Sequence, residues 1–80
     1  MKCKSITVVK TNGDQEFLGF AEPKPLLIAV EHIRNNVPEL KGKRFHQHRW
    51  QGSDAIGCFV NHTNPMKSGY IAGYVYVQEN

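Results

Sequence analysis

Eighty residues are enough for one domain, residues 1–80, with a thin core, because a chain of this size hides only about 60% of the surface it exposes when unfolded. Hydrophobic residues at 40% and charged residues at 21% exclude a disordered, charge-rich chain. The longest unbroken apolar run, Leu26 to Val30, is far short of the ~20 residues a membrane span needs, and the lysine-bearing amino end is too polar for a secretion signal, so a cytoplasmic domain with no membrane partner is expected.

Residues 4–20 read as a β-hairpin, with the β-branched run Ile6-Thr7-Val8-Val9, the turn pair Asn12-Gly13 and the apolar run Phe17-Leu18-Gly19-Phe20. A two-residue turn sets Val8 opposite Phe17 and Thr7 opposite Leu18, which puts Ile6, Val8 and Phe17 on the buried side. Glu22-Pro23-Lys24-Pro25 then breaks the strand pattern, and Pro25 suits a first helical position. Leu26, Val30, Ile33 and Val37 recur at helical spacing with Ala29 beside them, which predicts an amphipathic helix of about three turns that Pro38 ends.

The last third predicts strands within Asp54–Asn61 and Tyr70–Gln78, joined as a second hairpin by the loop-forming stretch Thr63–Gly69. Residues 44–51 form a further, weaker strand candidate. The expected fold class is therefore α+β: a small antiparallel sheet of four to five strands with one amphipathic helix on one face, in the order β-β-α-(β)-β-β. Cys3 and Cys58 are too few for a secreted disulfide scaffold and are read as reduced thiols.

Alternation divides the final strand into Ile71, Val75 and Val77 on one side and Tyr70, Tyr74 and Tyr76 on the other. One helix roofs one face, so the tyrosines are left on the open face or in a homodimer interface. Tyrosine suits a binding surface because it offers a ring and a hydroxyl at small entropic cost, although strand propensity alone also places it there.

The net charge of +3 is concentrated between Leu40 and Gln51, where Lys41, Lys43, Arg44 and Arg49 occur without an acid and with His46 and His48 among them. If residues 44–50 are extended, Arg44, His46, His48 and Trp50 share one side and Phe45, Gln47 and Arg49 the other. Neither side reads as core, so an edge strand or exposed loop is expected. Cations interleaved with rings suit phosphates and bases or an acidic protein surface, while charge on an edge strand also guards against aggregation.

Ala72-Gly73-Tyr74-Val75-Tyr76-Val77 is similar to the aromatic strand of RNA-recognition motifs, in which glycine precedes alternating aromatics that stack on bases. Ala72 stands in place of a basic residue, Val75 in place of a small one and Glu79 in place of a final aromatic, and the two-helix order is missing, so the chain is not assigned to that family. His46 and His48 have a spacing zinc accepts, with His32, His62, Cys3 and Cys58 as further candidates, but no paired Cys-x-x-Cys accompanies them. Cys58 and His62 lie roughly 13 Å apart on a regular strand, beyond the reach of a thiol-imidazole dyad.

Without a catalytic motif or a cofactor-binding pattern, the sequence predicts a non-catalytic binding module. Its Lys41–Trp50 segment and tyrosine row would dock on a larger, acidic or nucleic-acid-handling protein and modulate or inhibit it. Small inhibitors made by phages and mobile elements offer an analogy. Direct binding of single-stranded nucleic acid through the same surface is the alternative expectation, and a histidine-based metal site the third.

Overall fold

A computed structural model describes residues 1–61 and 71–80. The β-branched run lies in β1 (Lys2–Lys10), which is followed by β2 (Gln15–Pro25), α1 (Leu26–Asn36), a single 3-10 turn at Pro38–Leu40, β3 (Arg44–Gln47), β4 (Gly57–Val60) and β5 (Ile71–Glu79). The five strands form one sheet in the order β2-β1-β5-β4-β3, with every neighbouring pair antiparallel. The expected α+β class and element order are the observed ones, with residues 44–47 supplying the fifth strand.

The first hairpin differs from the sequence expectation by one residue, and the reason is its turn. The Gly13 N–H donates to the Lys10 carbonyl at 2.9 Å and the Lys10 N–H to the Asp14 carbonyl at 2.8 Å, which leaves a loop of residues 11–13. Gly13 alone adopts a positive φ of 94°, as a three-residue loop requires, whereas a type I′ turn needs Asn12 there as well. The Asn12 side chain instead accepts the Asp14 N–H at 2.9 Å. Thr7 therefore pairs with Phe17 and Ile6 with Leu18. A one-residue slip reverses every side chain, so Phe17 is 69% exposed on the face away from the helix, while Leu18 and Phe20 pack against the core.

The prolines do not break the second strand. β2 runs through Pro23 to Pro25, a placement open to it because it is the edge of the sheet, where a missing N–H costs no ladder bond. Between the pairs Ser5↔Gly19 and Cys3↔Lys24 β1 advances two residues and β2 five, and this bulge turns the chain toward the helix. Pro25 keeps an extended conformation (φ −56°, ψ 151°) as the residue capping α1, one position earlier than expected.

Leu26, Ala29, Val30 and Ile33 form the buried stripe of α1, and Val37 follows them into the core as its N–H bonds the Ile33 carbonyl at 3.1 Å. The helix packs over β1 and β2, and its stripe joins Ile6 and Val8 of β1, Val75 of β5 and Phe59 of β4 in one buried cluster. Burying each of these side chains contributes roughly 1.5–3 kcal/mol. Leu27 and Ile28, outside the stripe, are 65% and 47% exposed. No helix among the described residues is long and apolar enough to cross a membrane.

Lys10 ties the first hairpin to the 3-10 turn. Its Nζ lies 2.9 Å from Glu39 and 3.0 Å from Glu16, and the hydrogen bonds to these two carboxylates push its pKa up to about 12. The fold thus favours the charged amine. The stabilisation is fully present below pH 10.5, the ordinary lysine value, and is lost as the pH rises through about 12.

Two measurements check these assignments. In urea unfolding, Phe17→Ser should change stability by no more than about 0.5 kcal/mol, whereas Leu18→Ala should cost about 2 kcal/mol; the reverse ranking would restore the two-residue turn. The stability difference between wild type and Lys10→Met should shrink as the pH is raised from 10.5 toward 12, and a constant difference would show that the two carboxylates do not hold the amine.

Candidate functional site

Directly paired residues of an antiparallel sheet share a face. The register therefore sets one row, Gln15, Val9, Tyr74, Cys58 and His46, across all five strands on the side away from α1. Phe17, Thr7 and Tyr76 form the adjacent row. Tyr74 is 37% exposed and Tyr76 half-buried, on the face opposite Val75 and Val77. Tyr70 and His62 lie outside the described residues.

Beyond β3 the His48 N–H bonds the Ile56 carbonyl at 3.2 Å, and a turn closed by the Ser53 N–H on the Trp50 carbonyl, also 3.2 Å, returns the chain toward β4. The Ser53 hydroxyl steadies the turn by accepting the Ala55 N–H at 3.1 Å. Folding back in this way carries Trp50 over the open face, where its ring meets Tyr74 edge to face at a centroid distance of 5.3 Å and 74°. His48 meets Trp50 at 4.8 Å, and His46 stacks on His48 at 5.9 Å and 17°. A continuous chain of four rings thus leads from the sheet edge to its central strand. Edge-to-face contacts add roughly 0.5–1.5 kcal/mol each beyond the area they bury, so the rings hold one another in place.

The basic residues belong to the same stretch of sequence, and Lys43 lines a cleft with Lys10 and Glu39. Lys41, Arg44 and Arg49 are exposed and Lys43 is half-buried, and none of their side chains makes an ion pair among the described residues. Arg34 of the helix donates to the Lys43 backbone carbonyl at 3.2 Å and pairs with Glu31, which fixes the entry into β3. Phe45 corrects the expectation that neither side of this segment is core. Its ring lies 5.8 Å from that of Phe59 and packs on the helix-side cluster, over Gly57, where an added Cβ would sit 2.7 Å from it.

Cys58 and Cys3 are free and buried. Burial pushes both thiols up from the ordinary value, with Glu79 adding to the effect at Cys3. Cys3 belongs to the helix-side core, whereas Cys58 lies between His46 and Tyr74, two members of the chain of rings, on the other face and is still only 1% exposed. No three metal-binding side chains gather among the described residues. His46 and His48 are nearly parallel, and His32 lies on the helix side against Phe20.

Two features of the site were not drawn from the sequence. One is Phe17, which joins the open face through the register slip. Its signal was Leu18 and Phe20, which alternate together and supply two apolar side chains to the core where Phe17 supplies one. The other is the contact of Trp50 with Tyr74, between residues 24 positions apart, which no local pattern announces.

No protein-family model, no curated protein and no solved structure matches this chain.

Alkylation followed by mass spectrometry checks whether the chain of rings covers Cys58. Neither thiol of the folded wild type should react readily at neutral pH, because each is enclosed and its thiolate disfavoured. Trp50→Ala should speed labelling of Cys58 and leave Cys3 slow; equal rates in both proteins would mean that another group provides the cover.

Proposed function

We propose that this protein is a non-catalytic binding module that docks on a larger, nucleic-acid-handling protein and modulates or inhibits it. The observation that carries the reading is the Trp50–Tyr74 contact, which joins the basic segment and the tyrosine face into one surface. Rings already held in position lose little freedom on binding, and tryptophan, tyrosine and arginine are the residues most often decisive at the centre of an interface. The cations of the same segment, which have no acid to satisfy them within Leu40–Gln51, favour an acidic partner and speed its approach. Clefts of about 240 and 300 Å³ elsewhere on the surface are at or below the lower limit of small-molecule pockets, roughly 300 Å³, which favours a macromolecular partner. Two free thiols suit a reducing compartment, and the cytoplasm is the proposed location.

The test is affinity capture from one lysate with wild type, Trp50→Ala and Tyr74→Ala in parallel, with folding checked by circular dichroism. A specific partner should be retained by wild type and lost by both variants, and capture at wild-type levels by both would remove the surface. Filter binding of single-stranded RNA and DNA at low salt separates the competing occupant. Direct nucleic-acid binding would show retention that falls steeply with salt, with a slope flattened by neutralising Lys43, Arg44 and Arg49. The present reading expects no such retention by the purified protein.

A further inference from the structure

β3 is an open end of the sheet. Residues of an antiparallel pair alternate between those that exchange backbone hydrogen bonds with the partner strand and those that turn the same groups away. The His48 N–H bonds the Ile56 carbonyl, and the pairs His46↔Cys58 and Arg44↔Val60 step from it by two, so these three residues face β4. Phe45 and Gln47 consequently turn their N–H and C=O groups outward, and no strand among the described residues meets them. The opposite edge, β2, is blunted by Pro23 and Pro25.

Beside this edge, on the helix side of the sheet, is the cleft of about 300 Å³ between α1 and β3. Leu27, Val30 and Phe45 give it apolar walls, with Leu27 left 65% exposed, and Glu31, Arg34 and the edge residue Arg44 complete its lining. Glu31 is already engaged by Arg34. An unpaired strand edge with an apolar slot along it is the arrangement to which an extended peptide adds as a further strand, with main-chain bonds supplying affinity and alternate side chains entering the slot.

Charge selects the occupant. A second copy of the chain, paired antiparallel through the same edge, would lay side by side two segments that each carry Lys41, Lys43, Arg44 and Arg49 and no acid, and like charges across strands destabilise pairing. An acidic segment gains where a second copy loses. We propose that the β3 edge and the α1 cleft bind an extended segment of a partner protein in which apolar and acidic residues alternate. The apolar row enters the cleft against Leu27 and Phe45, and the acidic row lies beside Arg44 and His46 on the open face. This rests on the binding role proposed above and extends it, since His46 belongs to both the edge and the chain of rings.

The experiment titrates a capped peptide of about eight residues, alternating valine and glutamate, into isotopically labelled protein and follows amide exchange by NMR. In the free protein the Phe45 and Gln47 amides should exchange quickly and those of His46 and His48 slowly. Saturating peptide should protect Phe45 and Gln47. Leu27→Glu, with its fold checked by circular dichroism, should weaken binding by about tenfold or more, and a peptide of the same composition with its glutamates grouped at one end should bind as poorly. Absence of binding, or binding that leaves Phe45 and Gln47 unprotected, would overturn the proposal. So would protection of these amides that rises with protein concentration in the absence of peptide, since a second copy would then occupy the edge. The captured partner of the ring surface separates the two readings. If it is lost by Trp50→Ala and retained by Leu27→Glu, the edge is rejected and the ring surface kept; the converse rejects the ring surface and keeps the edge.

Discussion

An eleven-residue helix is about 16 Å long and about 10 Å across, while five strands at about 4.8 Å spacing make a sheet roughly 19 Å wide with two faces. One such helix cannot enclose that sheet. α1 accordingly covers one face, over β1 and β2 and the central valines, and leaves both the opposite face and the margin beside β3 uncovered. Every surface with a proposed role here follows from this mismatch. The open face carries the rings, and the uncovered margin is the cleft beside Phe45.

The open face is not bare sheet. At its β3 end the turn after His48 brings Trp50 back onto Tyr74, these rings pack with His46 and His48, and Cys58, between His46 and Tyr74, is nearly as buried as Cys3 in the main core. A domain with so thin a core gains from this second small cluster, and the same packing holds recognition groups in place. Structural and binding roles are therefore superposed at Trp50. Tyr74, in the central β5, depends on Trp50 for its ring contact and on the sheet for its position.

The two sheet edges are treated differently, and the contrast has a physical basis. β2 has lost hydrogen-bond donors at Pro23 and Pro25, which disfavours any added strand whatever its sequence. β3 keeps its outward donors and acceptors at Phe45 and Gln47 and is flanked by cations that make no ion pair among the described residues, a defence that works against a like-charged chain and fails against an acidic one. Lys10 is held between Glu16 and Glu39, whereas Lys41, Lys43, Arg44 and Arg49 make no ion pair among the described residues.

Local chemistry in the sequence was enough to determine the element types and their order. The β-branched run of β1, the helical spacing from Leu26 to Ile33 and the strict alternation of valine and tyrosine in β5 each depend on neighbours a few residues away, and such patterns survive in any tertiary setting. The register of the first hairpin did not follow from them, because Asn12-Gly13 serves a two-residue or a three-residue loop and the choice turns on which side chains the core accepts. Leu18 and Phe20 under the helix outweigh Phe17. The passage of β2 through its prolines, the burial of Phe45 over Gly57 and the meeting of Trp50 with Tyr74 were likewise decided only in three dimensions. Each depends on which strand lies at an edge and which residues distant in the chain become neighbours, and strand order and long-range contact leave no periodic trace in a single sequence.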